Sequence, residues 1–130
     1  LPTGIGAAMA DPTRRVVTFT GDGGLMMCAA ELATAAQAGC RLTVVVFNDS
    51  SIAMIGVKQN QRGFDRVGMD YSPSDFAGVA ASFGCKGFTV KARADLAPTF
   101  KQALACEGTT VVDVIVDHAT YQQQIRSLRG

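Results

Sequence analysis

Arg15-Val16-Val17-Thr18-Phe19-Thr20-Gly21-Asp22-Gly23-Gly24 is a short β-rich run that stops on a carboxylate held between glycines. Leu42-Thr43-Val44-Val45-Val46-Phe47-Asn48-Asp49-Ser50-Ser51 repeats the arrangement with a nearly continuous apolar run and a second carboxylate. Short runs of this kind, rich in β-branched residues, mark strands buried in a parallel sheet. Between them, Leu25 to Ala38 is rich in Ala, Leu, Met and Glu and closes on Gly39, which suits a helix ended by a left-handed cap. Strand, helix and strand make a β-α-β unit.

The alternation continues outward. A helix is expected from Ile52 to about Gln61, then a polar loop through Asp70, a helix from Ser74 to Ser82 ended by Gly84, and a strand from Gly87 to Lys91. Asp95 is expected to cap a helix running to about Cys106, with Pro98 in its first turn. Thr109 to Val116 reads as the last strand and Tyr121 to Leu128 as a polar terminal helix. The fold class that follows is α/β: a doubly wound parallel sheet with helices on both faces, one domain over residues 1–130. Leu1-Pro2-Thr3-Gly4-Ile5-Gly6-Ala7-Ala8-Met9-Ala10 opens without an initiator methionine, inside a small-residue helical pattern. The natural chain is therefore expected to begin upstream.

At 130 residues, with 48% hydrophobic and 18% charged side chains and a net charge of +1, the chain is ordinary for one globular domain. Neither disorder nor an electrostatic nucleic-acid surface is indicated. Cys28, Cys40, Cys85 and Cys106 form no C-x-x-C pair, and the lone His118 cannot complete a zinc set, so the cysteines read as reduced and mostly buried. No apolar run approaches a membrane span and no signal segment opens the chain, so no membrane contact and a cytoplasmic location are expected.

In a doubly wound sheet, ligands bind beyond the carboxyl ends of the strands. Gly21-Asp22-Gly23-Gly24 leads straight from strand to helix, so backbone can approach a ligand closely and free amides favour a phosphate. Asn48-Asp49-Ser50-Ser51 sets a carboxylate, an amide and two hydroxyls at a comparable level, and Asp49 follows Asp22 by 27 positions. Mg2+ prefers oxygen ligands, usually one or two carboxylates plus phosphate oxygens, which Asp22 and Asp49 could serve. Taken singly, the first segment reads as a turn and the second as an Asx-turn with a helix cap.

A Gly-Asp-Gly followed 25 to 30 residues later by Asn-Asn or Asn-Asp resembles the cofactor motif of thiamine-diphosphate-dependent enzymes. The flanks are similar too: Leu1 to Ala10 resembles that family's Leu-Pro-x-Gly-Ile-Gly-Ala-Ala helix, and Glu31-Leu32-Ala33-Thr34-Ala35 its Glu-Leu-x-Thr helix. The nearest resemblance is to the C-terminal diphosphate-binding domain of acetolactate synthase and its decarboxylase and carboligase relatives, such as benzoylformate decarboxylase.

The resemblance implies thiamine diphosphate and Mg2+ as cofactors. Asp22 and Asp49 would bind the metal through their side chains and Ser51 through its carbonyl. Gly21, Gly23, Gly24 and Leu25 would lie along the diphosphate, Asn48 would support the metal loop, and Ile52 would face the thiazolium. An Asp at the second metal position, where relatives often carry Asn, should raise Mg2+ dependence. Ile52, Ala53, Met54 and Ile55 read from spacing as core packing, and Lys58, Gln59 and Arg62 as a solvated face. By resemblance, those three polar residues become candidates for a substrate carboxylate. His118 reads as structural.

The implied enzyme acts on a 2-oxo acid as a decarboxylase or carboligase, that is, a lyase or transferase. Three of its parts are expected outside this chain: an activating glutamate, a bulky residue that bends the cofactor, and most substrate contacts. No catalytic residue is thus assigned here, and the isolated chain should be silent. Family sites lie against the pyrimidine-binding domain of a partner chain, so a homo-oligomer is expected, with apolar surface at the Ala- and Met-rich start and at Ile52 to Val57. Two competing readings are a Rossmann or flavodoxin-like nucleotide module, suggested by Gly4-Ile5-Gly6 but placed before the first strand, and a regulatory domain of the same fold without chemistry.

Overall fold

The computed structural model describes residues 1–129. The elements run α1 (Pro2–Ala10), β1 (Val16–Gly21), α2 (Asp22–Met26), α3 (Glu31–Gln37), β2 (Leu42–Asn48), α4 (Ala53–Gln61), α5 (Phe76–Ser82), β3 (Lys86–Val90), α6 (Arg93–Ala105), β4 (Thr110–Ile115) and α7 (Tyr121–Arg129). The four strands form one parallel sheet in the order β1-β2-β4-β3. The steps from β1 to β2 and from β2 to β3 run the same way along the sheet, and the step from β3 to β4 runs back. Right-handed crossovers then put α6 on the face opposite α3 and α5.

The core follows that division. Val44, Val46 and Val111 pack with Ile5 and Ala8 of α1, Leu25, Leu32, and Phe76 and Ala80 of α5. The neighbouring Val112 points the other way and packs with Val90 and with Ala103 and Phe100 of α6. All four cysteines are free; Cys40 and Cys85 are buried and Cys28 and Cys106 half-buried. Among the described residues no helix is long and apolar enough to cross a membrane.

Two expected elements differ. The helix expected from Leu25 to Ala38 starts earlier, at Asp22, and breaks after Met26, where i→i+3 bonds such as Cys28 N–H to Leu25 O (2.9 Å) tighten the chain until α3 begins. No residue from Met27 to Ala30 is a helix breaker, so propensity carries no sign of this turn, whose two sides each bury a leucine against the sheet. Asp95 does not cap α6 but sits in its first turn, since the helix starts at Arg93. Pro98 is consequently inside the helix rather than in its first turn, and no N–H is available there for the Ala94 carbonyl.

Gly4, the first glycine of the Gly-x-Gly resemblance, has a packing role. A Cβ there would stand 2.2 Å from Cγ2 of Thr18, so the glycine lets α1 lie close on β1. That assigns it to helix-sheet contact and leaves the nucleotide-loop reading without support.

One part of the sheet is uncovered. Phe19 and Phe47 lie on the face that carries α6, beyond the reach of that helix, and stack with centroids 6.2 Å apart. Phe19 is 64% exposed, and Val17 beside it is also open. The expected apolar surface is therefore present: Ile52, Met54 and Ile55 of the expected Ile52 to Val57 segment are exposed, as is Met9 of the start, although α1 buries Ile5 and Ala8, and the stacked phenylalanines and Met27 add a part that was not expected. Contiguous apolar patches of this kind are rare on monomers and tend to be covered by association. The isolated 130-residue chain should therefore self-associate, with a light-scattering mass above 13.6 kDa that falls on dilution. A constant monomer mass without hydrophobic-dye binding would refute this.

Candidate functional site

The register of β1 and β2 pairs Gly21 with Phe47, so the two strand ends finish side by side. Asp22, only 4% exposed, ties them together. Its Oδ1 accepts from the N–H of Gly23 at 2.7 Å, and its Oδ2 from those of Asp49 at 3.1 Å and Ser50 at 2.8 Å. Ser50 has φ 55°, the only described non-glycine residue in the left-handed region, and that conformation turns its N–H to Asp22. A staple from the following loop holds the turn: Tyr71 N–H donates to Ser50 O (3.0 Å), Ile52 N–H to Met69 O (2.7 Å) and Ser51 Oγ to Met69 O (3.1 Å).

Asp49 Oδ1 accepts from Ser51 N–H at 3.0 Å, the Asx-turn that is its ordinary structural use. The Asp49 carboxylate also meets the Tyr121 hydroxyl, whereas the Ser51 carbonyl accepts no hydrogen bond from the described residues. Asn48 turns the other way: its Nδ2 donates to Asp113 Oδ1 (3.0 Å) and to Ser74 O (2.9 Å). Asp113 Oδ2 in turn accepts from Phe76 N–H at the start of α5 (3.2 Å). Asn48 thus anchors the loop from behind, the supporting role expected of it, and does not reach the cavity. Its partner Asp113 was not singled out from sequence, because a carboxylate inside the run Val111 to Ile115 breaks no period. Burial pushes the Asp113 carboxyl up, against the lowering effect of its two donors.

A cavity of about 680 Å3 opens above the strand ends, lined by Gly21, Asp22, Gly23, Gly24, Asp49, Ser51 and Ile52. Leu25 is not in the lining: its side chain is fully buried in the core, which leaves only its backbone for a ligand. At Gly24 a Cβ would meet Thr20 Oγ1 at 2.7 Å, so local packing by itself favours a glycine there. At Gly21 a Cβ would meet nothing, and at Gly23 only the Tyr71 hydroxyl, at 4.0 Å, so open space lies over both.

The rest of the wall is apolar: Met26, Met27, Phe47, Ala53, Met54 and Ile55, with Tyr121 of α7. Core packing is thus corrected for Ile52, Met54 and Ile55, which face the cavity and remain exposed, and it holds for Ala53. A period of 3.6 cannot distinguish a wall facing a ligand from one facing the core. Lys58, Gln59 and Arg62 do not line the cavity. His118 packs edge-on against Tyr121 at 6.5 Å, nearer the site than a purely structural reading implied.

Charge in the site is negative and local. Burial, then the neighbouring Asp22 carboxylate, pushes Asp49 up. Burial and Asp49 push the Tyr121 phenol up to about 12. Among the described residues no Lys or Arg lines the cavity; the Arg66 guanidinium is engaged by Asp70 at 2.5 Å and by Ser51 Oγ. That pairing holds Asp70 at about 2. Two facing carboxylates, a free carbonyl and an open glycine floor form an oxygen-only donor set that suits a small hard cation and an anion carried with it. No described cluster joins three or more His, Cys, Asp or Glu side chains, so a metal here would complete its shell from backbone, ligand and solvent oxygens.

Residues 1–114 match the family described as thiamine pyrophosphate enzyme, C-terminal TPP binding domain. The catabolic acetolactate synthase of Raoultella terrigena is 34% identical over 119 residues, covering 91% of this chain and 21% of that protein. The acetolactate synthase of Bacillus subtilis (strain 168) is also 34% identical over 119 residues, with 92% and 21% covered. Among solved structures, the thiamine diphosphate-dependent 4-hydroxybenzoylformate decarboxylase of Rhodococcus jostii RHA1 superimposes with a TM-score of 0.84 at 27% identity, over 90% of this chain and 22% of that one. The chain therefore spans about a fifth of the length of these proteins.

Proposed function

This chain belongs to the thiamine pyrophosphate enzymes, as their C-terminal TPP binding domain, and from that premise we propose that it holds the cofactor's diphosphate through Mg2+ within a 2-oxo acid decarboxylase or carboligase of the acetolactate synthase kind. The observation that carries the reading is Asp22, which joins the two strand ends by accepting the N–H groups of Asp49 and Ser50 beneath the cavity that Asp49 and Ser51 also line. In this assignment Asp22, Asp49 and the Ser51 carbonyl ligate the metal. Gly21, Gly23, Gly24 and the Leu25 backbone bound the diphosphate, and Asn48 braces the loop.

Thiamine diphosphate, when bound, supplies the nucleophilic carbon and the electron sink for loss of carbon dioxide from a 2-oxo acid. The chain's own part is to fix position and keep water away. Ile52, Met54, Ile55 and Met27 form a wall that strengthens electrostatic interactions inside by excluding solvent. The two glutamates of the chain, Glu31 and Glu107, are exposed and outside the cavity, so neither can activate an aminopyrimidine there. That function fits the pyrimidine-binding domain of a partner chain in a cytoplasmic homo-oligomer, docked over the exposed methionines and phenylalanines.

The full-length enzyme should release carbon dioxide from a 2-oxo acid only with both thiamine diphosphate and Mg2+, and the isolated 130-residue chain should release none. Turnover by the isolated chain above a no-protein control would refute the division of labour. Full-length turnover that persists after both cofactors are removed would refute the assignment itself.

A further inference from the structure

We propose that Arg66 is a positioning residue for the turn after β2, fixing the direction of the Ser51 carbonyl through Ser51 and Asp70, an inference that rests on reading that carbonyl as a Mg2+ ligand. Arg66 does not line the cavity, so it acts through its neighbours. Its guanidinium forks over the Asp70 carboxylate, with Nε 3.1 Å from Oδ2 and Nη2 2.5 Å from Oδ1, and Nη2 also donates to Ser51 Oγ at 2.5 Å. Gly56 of α4 leaves room for this arrangement: a Cβ there would stand 2.0 Å from Arg66 Nη1 and 2.9 Å from its Cζ.

These contacts converge on one peptide plane. Ser51 and Asp70 pair as an antiparallel bridge, and the Met69 carbonyl next to Asp70 accepts from Ile52 N–H at 2.7 Å and from Ser51 Oγ at 3.1 Å. Ile52 N–H and Ser51 C=O belong to the same planar, trans peptide unit, so fixing the direction of the first fixes that of the second. The buried Ser51 hydroxyl gives its proton to Met69 O and accepts from Arg66, which links the guanidinium to the carbonyl that holds the plane. The ion pair adds little to folding stability, because Asp70 is 61% exposed. What the fork supplies is direction, since two parallel N–H bonds to one carboxylate need a guanidinium.

Thiamine diphosphate binding to the full-length enzyme, measured calorimetrically across a Mg2+ titration, tests this role. Arg66→Ala should raise the half-saturating Mg2+ concentration about 10-fold, the lower end of the range for a residue that orients a metal ligand, with the apoprotein melting temperature nearly unchanged. Arg66→Lys should do the same, because an ammonium keeps the charge without the fork. Ser51→Ala keeps the carbonyl and loses the hydroxyl, and should raise the requirement by a similar factor. The double variant should be little worse than either single one, since both break one chain of bonds. A parental Mg2+ requirement in Arg66→Ala, full rescue by Arg66→Lys, or losses that multiply in the double variant would overturn the proposal. So would a lower apoprotein melting temperature with an unmoved Mg2+ requirement, the mark of a merely structural contact. Asp22→Ala serves as the reference: if it keeps the parental Mg2+ requirement, the site assignment fails and the role of Arg66 with it. If Asp22→Ala loses the cofactor while Arg66→Ala binds as the parent does, only the role of Arg66 fails.

Discussion

Asp22→Ala in the full-length protein should abolish retention of thiamine diphosphate, weakening it by more than about 100-fold, because more is lost than in the 10- to 100-fold removal of a partner that only orients a ligand. The carboxylate is buried and has two functions. It offers charge to the proposed cation, and it collects the N–H groups of Gly23, Asp49 and Ser50. Without it three amides lose their acceptor, and Ser50 loses a bond that offsets the cost of its positive φ. Asp22→Asn separates the two effects, since it keeps the shape, removes the charge and points an NH2 at some of the same donors. It should bind more tightly than Asp22→Ala and still far below the parent. His118→Ala, which removes a ring on the Tyr121 side of the cavity, should change retention by no more than a few-fold. Titration of each variant with thiamine diphosphate at several Mg2+ concentrations reads all three. Normal retention by Asp22→Ala, or a larger loss from His118→Ala, would refute the site.

Most of the fold was legible because strands buried on both faces leave a mark that needs no context: Leu42 to Phe47 is apolar apart from Thr43, and the observed strand extends it only by Asn48. The strand ends proposed to hold the diphosphate were legible for a related reason, since glycines and carboxylates at two strand ends are an uncommon combination. What escaped is what depends on the third dimension. Asp113 sits inside an apolar strand and acquires meaning only because Asn48 of the adjacent strand and Phe76 of α5 point at it. Tyr71 and Tyr121 come from segments that are remote from the strand ends in sequence and return to them in space. The break after Met26 was invisible to propensity, and the orientation of Ile52, Met54 and Ile55 could not be decided by a period that is the same for a core and for a cavity wall.

The same network makes the site sensitive to packing far from it, and Gly87 is where that is most testable. Gly87 lies on β3 opposite Val111 and directly under α5. A Cβ there would stand 2.1 Å from Ala77 O, 2.5 Å from Ala77 Cα and 2.6 Å from Ala77 C. These neighbours are backbone, so no rotamer change relieves the overlap: either α5 lifts or β3 shifts against β4. Overpacking a core commonly costs about 1–3 kcal/mol, and a clash with main chain belongs at or above the top of that range. Gly87→Ala should therefore destabilise the domain by about 3 kcal/mol or more, and lower its melting temperature by roughly 10 °C. Because α5 carries the Phe76 N–H that holds Asp113, and Asp113 holds Asn48, lifting the helix should also weaken thiamine diphosphate retention, though no altered atom touches the cavity. Gly6→Ala is the contrasting substitution. It lies within α1, a Cβ there meets nothing within 4 Å, and alanine in place of a helical glycine should stabilise by up to about 1 kcal/mol. Melting curves of the two variants in the full-length protein, with and without cofactor, should move in opposite directions. A Gly87→Ala protein as stable as the parent would mean that α5 sits further from β3 than this packing requires.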